Sequence, residues 1–140
     1  MASRIASRLR RTRRDPDPIA RAAAAGIGAI RIAIGVGMLA APRASLGLMG
    51  FKDAEGPVIA IARLAGGRDL ALGALALGAL DDRERLRDVS CVSAGVDTAD
   101  AASFAIALVR REGPDLGAGI GVITATQAAI AGAWITRRLR

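Results

Sequence analysis

The 140-residue chain contains no histidine and no tyrosine, one cysteine, one tryptophan and two phenylalanines. Without histidine, Ser-His-Asp hydrolysis, His-ligated haem and the common zinc hydrolase sites lack an obligatory part. The single Cys91 excludes an internal disulfide and Cys-x-x-Cys chemistry, and reads as a small apolar residue within a helix. Aromatic residues make up only 2% of the chain, so the large anchors of a soluble core are nearly missing and Ala, Leu, Ile and Gly must do the packing. Small side chains suit helices that approach closely in lipid. No phosphate loop of the GxxxxGK[ST] type occurs. The stretch GAGIG at Gly117, Gly119 and Gly121 lacks the third glycine in register for GxGxxG and follows no strand.

What is present is apolar. Hydrophobic residues make up 52% of the chain and the mean hydropathy is +0.36 despite 20 Lys and Arg. The net charge of +7 gathers in two terminal arms instead of a folded face, which argues against a nucleic-acid partner. Four long apolar segments, Ile19 to Ala41, Pro57 to Leu80, Val89 to Val109 and Leu116 to Ile135, each reach the ~20 residues that cross a ~30 Å hydrocarbon core. The breaks between them, APRASLGLMGFKDAEGP, DDRERLRD and RREGPD, carry charges and turn residues. This pattern predicts an all-α, four-span transmembrane up-down helix bundle over residues 19–136, with a basic arm at 1–18 and a basic tail at 137–140.

Arginine placement predicts orientation. Arg4, Arg8, Arg10, Arg11, Arg13 and Arg14 in the arm, Arg83, Arg85 and Arg87 in the middle loop, and Arg137, Arg138 and Arg140 in the tail fall on one side of such a bundle; Arg43, Lys52, Arg110 and Arg111 fall on the other. The positive-inside rule then puts both termini in the cytoplasm of a multi-pass inner or plasma membrane protein. Trp134, followed by Arg137 and Arg138, suits an interfacial anchor. The first apolar run is too long for a signal-peptide core, holds Arg31 and is followed by similar runs, while the Arg- and Ser-rich start also has the composition of an organelle transit peptide. Two further readings stay open for the arm: a short amphipathic helix with Ala2, Ile5, Ala6 and Leu9 on one face, or a solvated segment that sets topology.

Away from their ends these spans hold six charged residues: Arg31 in the first, Arg63, Arg68 and Asp69 in the second, and Asp97 and Asp100 in the third. A lipid-facing charge at a helix centre costs ~2.5–3.5 kcal/mol on the insertion scale, so such residues are expected to face inward and pair. Arg31, Arg68, Asp69, Asp97 and Asp100 fall ~14–18 Å from the outer ends of their spans at helical rise, in one layer. Asp97 and Asp100, three apart on one face, are candidates to pair with Arg31 and Arg68. Thr124 and Gln127 on the fourth span are expected to complete the layer by hydrogen bonding, and Arg63, nearer the outer surface, to reach water or Asp100. Gly66-Gly67 beside Arg68-Asp69 admits a second backbone, and Ala74/Gly78 and Gly117/Gly121 are small-xxx-small pairs suited to close packing. Such a layer either fixes the register of a bundle whose small-residue faces would otherwise slide, or forms a polar site for a small solute, a proton path or the head of a lipid or quinone.

RIAIGVGMLAAP, then LGLMG, then ARLAGGRDLALGALAL resemble small four-helix membrane proteins common in actinobacteria and, more distantly, the DoxX-like membrane proteins. The matching positions are Arg31, Gly35, Arg63, Gly67, Arg68, Asp69 and Gly73, and the resemblance covers most of the chain beyond the arm. It implies a four-helix membrane fold and, through the distant relatives, a link to thiol or quinone redox systems. The residues themselves point to a small non-enzymatic membrane protein that scaffolds a membrane-protein partner, pairs with itself or binds a small ligand. The alternative is a membrane oxidoreductase subunit or a proton-coupled carrier. They name no cofactor.

Overall fold

A computed structural model describes residues 16–51 and 54–140, and over that range the chain is all-helical. The basic arm assigned to 1–18 thus lies outside the described residues except for its last three positions, and Lys52 lies outside them too. Among the described residues five helices follow one another: α1 (Pro18–Ala40), α2 (Pro42–Leu48), α3 (Gly56–Gly78), α4 (Arg83–Arg110) and α5 (Asp115–Arg138).

Local chemistry sets their ends. Asp17 caps α1, its Oδ1 accepting from the Ile19 and Ala20 amides at 3.0 Å each, with Pro18 at the start of the helix. The stretch APRASLGL, expected to be a break, is instead the short helix α2. Proline stops α1 but is well suited to the first position of a new helix, and Leu46 gives α2 a residue to bury. DDRERLRD, also expected to be a loop, is largely the first turns of α4, because Asp82 accepts from the Arg85 amide at 3.1 Å and Glu84 sits where the helix dipole favours an anion. Asp115 at the start of α5 and Arg137 and Arg138 at its end complement the same dipole. Arg111, at φ 55, closes α4 in the left-handed region.

Helix α1 packs along α3 and α4 along α5, whereas contact between these two pairs is thin. Glycine makes the first pairing close. A Cβ on Gly35 would lie 2.7 Å from the Gly66 carbonyl oxygen, and one on Gly73 would lie 2.7 Å from the Gly28 carbonyl oxygen. Gly28 and Gly35 thus meet Gly73 and Gly66 at two levels, backbone against backbone. In the second pair, Gly121 lies under the Phe104 ring and Gly132 against Ala94 and the Ser90 carbonyl. Gly117, grouped with Gly121 by sequence, instead meets Phe51 and the Met49 carbonyl. Ala74 and Gly78 form no packing face: Ala74 is exposed, and no atom approaches the Gly78 Cβ position within 4 Å.

One end of the molecule is sealed by Ala20, Ala24, Ala79, Leu86, Ile135 and Leu139, the other by Leu46, Ala54 and Ala62. At the first end Arg21 meets Asp81 at 2.6 Å, Arg138 meets Asp17 at 3.1 Å, and Arg83 Nε donates to the Leu139 carbonyl at 3.0 Å. The start of α1, the end of α3, the start of α4 and the end of α5 are therefore neighbours.

The distribution of side chains between inside and outside departs from that of a soluble protein. Buried positions are mostly Ala and Gly together with Arg31, Ser90 and Asp97, while Ile30, Ile61, Leu64, Ile106, Val109, Ile123 and Ile130 lie exposed along the helices. Water would make such a surface costly; hydrocarbon would not. Among the described residues α1, α4 and α5 are long and apolar enough to cross a membrane. At 23 residues α3 matches α1 in length, but every 18-residue stretch of it contains Arg63, Arg68 and Asp69.

Candidate functional site

The charged layer is assembled at the seam between the two helix pairs. On α1, Arg31 lies midway between Gly28 and Gly35; on α3, Asp69 lies midway between Gly66 and Gly73. The two close glycine contacts therefore bracket these side chains, and Arg31 Nη1 donates to Asp69 Oδ1 at 2.8 Å. The other terminal nitrogen of Arg31, Nη2, crosses to the second pair and donates to both carboxylate oxygens of Asp97 at 2.5 Å. Arg31 and Asp97 are the most enclosed members, with side chains 8% and 7% exposed. One guanidinium thus joins three helices.

A second guanidinium works beside it. Arg68 makes a two-pronged pair with Asp100, Nη1 to Oδ1 at 2.8 Å and Nη2 to Oδ2 at 2.7 Å, and its Nη2 also reaches Asp69 Oδ1 at 3.4 Å. Asp69 consequently accepts from both arginines and ties the two halves of the layer together. Planar forks of this kind are the strong form of ion pair, and they hold geometry as well as charge.

The structure brings Arg31, Arg68, Asp69, Asp97 and Asp100 together and leaves three sequence candidates outside. Gln127 is exposed on the outer surface of α5. Thr124 is exposed as well, its hydroxyl donating back to the Ile120 carbonyl of its own helix at 2.8 Å. The inner face of α5 is formed instead by Ala125, Ala128 and Gly132, which admit α4 and α1 closely. Arg63 is also exposed and does not reach Asp100; five residues from Arg68, it points about 140° away around the helix. It lines an open groove of about 390 Å³ with Arg43, Ile59 and residues 40–42.

Sequence reasoning missed Ser90 and Ser93. With Ala24, Ile27, Arg31, Asp97, Ala128, Gly132 and Ile135 they line a chamber of about 20 Å³ between α1, α4 and α5, room for about one water molecule. Thr98, Ser103, Thr124 and Thr136 all bond back to a carbonyl four residues earlier, which satisfies a hydroxyl outside the core. Among the described residues Ser90 and Ser93 do not, and Nε of Arg31 has no hydrogen-bond partner in the protein. The signal was legible: Ser90, Ser93, Asp97 and Asp100 recur at intervals of three, four and three, one stripe down α4.

The comparisons with known proteins bear on this arrangement in one way only. No family model, curated protein or solved structure matches the chain. Its chemistry is therefore read from the layer itself, in which charge is buried, paired across helices and surrounded by apolar surface.

Proposed function

We propose that this chain is a small, non-enzymatic integral membrane protein, crossing the membrane four times in up-down order with both termini in the cytoplasm, and serving as a scaffold or small-ligand binder. The observation that carries this reading is Arg31, buried between Asp69 and Asp97 while large aliphatic side chains cover the outside. Charge inside and hydrocarbon outside is the arrangement a bilayer selects, because an unpaired charge facing lipid opposes insertion. The fourth crossing is α3, whose Arg68 and Asp69 are turned to partners in the interior. Adjacency of the ends of α1, α3, α4 and α5 supports the up-down order, and the arginine bias supports the orientation. Kinship with the four-helix and DoxX-like membrane proteins belongs to the same proposal. It rests on the residue pattern Arg31, Gly35, Arg63, Gly67, Arg68, Asp69 and Gly73.

The test is extraction of cell membranes with alkaline carbonate, combined with compartment-sensitive reporters at each terminus and at residues 47–50. Retention in the membrane, with matching signals from the termini and the opposite signal from the loop, is expected. Release into the soluble fraction would refute membrane insertion, and unlike signals from the two termini would refute the even number of crossings. An absorption spectrum of the purified protein tests the assigned role: a bound flavin, quinone or haem would replace the scaffold with a redox subunit.

A further inference from the structure

The charged layer is not neutral when every group is ionised. Arg31 and Arg68 supply two positive charges against the three carboxylates of Asp69, Asp97 and Asp100. Among the described residues no other charged side chain faces the layer from the packed helices. Arg31 is the contribution of α1, Arg68 and Asp69 are those of α3, and Asp97 and Asp100 are those of α4; the part of α5 alongside has Ala125, Ala128 and Gly132. Arg63 points elsewhere and lies exposed in its groove with Arg43.

We propose that the layer binds one exchangeable proton, held on the Asp69/Asp97 pair that shares Arg31. This rests on the membrane embedding argued above, since a surplus charge matters most where water is excluded. Arg68 is committed chiefly to Asp100 in a two-pronged pair and reaches Asp69 only at 3.4 Å, whereas Arg31 holds Asp69 and Asp97, from two different helices, at 2.8 and 2.5 Å. One proton on that pair makes the layer neutral; its loss leaves a net negative charge at the seam where the two helix pairs meet. The adjoining chamber gives the proton a polar neighbour. Arg31, Ser90, Ser93 and Asp97 line it, it has room for about one water, and among the described residues the two hydroxyls and Arg31 Nε have no hydrogen-bond partner. The ligand class is therefore a proton, carried by water.

The experiment counts protons. Protein in lipid nanodiscs, in weak buffer with a pH indicator, is stepped from about pH 9 to about pH 5, a window that reaches the values seen for strongly buried carboxyls. Surface carboxylates contribute equally to wild type and variants, so differences isolate the layer. Asp97→Asn, which balances the charges without changing shape, should take up one proton fewer than wild type, and Asp69→Asn likewise. Arg31→Gln, which removes a positive charge, should take up one more. Equal uptake by wild type and Asp97→Asn would overturn the proposal, and that arm stands even if Arg31→Gln fails to fold. Membrane extraction reports separately on embedding: a chain that resists extraction yet shows no difference in uptake refutes the proton site and leaves the membrane assignment intact.

Discussion

Removing the Arg31 guanidinium is the most informative perturbation of the seam. In Arg31→Gln, Asp97 and Asp69, whose side chains are 7% and 15% exposed, lose the donor they share, and the layer is left with one guanidinium for three carboxylates. Breaking a buried pair by deleting one partner commonly costs ~3–5 kcal/mol, because the survivor remains desolvated without its counter-ion. That amounts to about a hundred- to several-thousandfold in the folded ratio at 1.36 kcal/mol per decade. Asp97→Asn should be far milder, on the order of 1–2 kcal/mol, since Arg31 keeps Asp69 and an amide oxygen can still accept a hydrogen bond. Combining the two changes removes both ends of the Arg31–Asp97 contact. The double variant should then be more stable than the sum of the singles predicts, by ~1–3 kcal/mol, the range found for residues in one ion network. Thermal melting in detergent and membrane abundance of all four proteins measure this cycle. Additivity within about 0.5 kcal/mol would show that Arg31 and Asp97 act independently and would refute the network as the element joining the helix pairs.

Other predictions follow from the packing and the caps. Gly73→Ala and Gly35→Ala, whose new methyl groups would meet backbone oxygens at 2.7 Å, should each cost about 1–3 kcal/mol, whereas Gly78→Ala, with nothing within 4 Å, should be neutral or slightly stabilising in the same melts. Gln127→Leu should leave stability and abundance unchanged or improved, because the amide is exposed on a face assigned to lipid; a loss in both would place Gln127 in the interior after all. The Ala20 amide, and with it the Arg138 guanidinium and the Ile19 amide, holds the Asp17 carboxyl below its ordinary value. A lowered carboxyl value stabilises the folded state above the unfolded value and loses that contribution as pH falls through the folded one. Protection of the Ile19 and Ala20 amides against exchange, taken relative to their intrinsic rates at each pH, should therefore fall in acid, below about pH 4, and Asp17→Asn should abolish that dependence of the protection on pH.

Much of this protein was legible from composition and spacing alone. Long apolar runs separated by charged turns dictate helices, since a bilayer requires every backbone group to be bonded within its own segment. Arg and Asp residues near the middle of those runs are expected to turn inward because a charge facing hydrocarbon is costly, which marks Arg31, Arg68, Asp69, Asp97 and Asp100 as interior and leaves Arg63, nearer the end of its run, free to face outward. The sequence could not say which arginine meets which aspartate. A helix apolar on most sides has no polar face to reveal its rotation, so a 100° step per residue separates an inward Asp69 from an outward side chain with little trace in the periodicity. Rotation is decided by the close contacts of Gly28 and Gly35 with Gly73 and Gly66, which need two helices in register. Once these are set, Arg31 falls between Asp69 and Asp97, Arg68 falls to Asp100, Arg63 and Gln127 turn outward, and Ser90 and Ser93 come to line a chamber. Solvent preference is a property of each residue and survives in the sequence; pairing is a property of two surfaces and exists only when they touch.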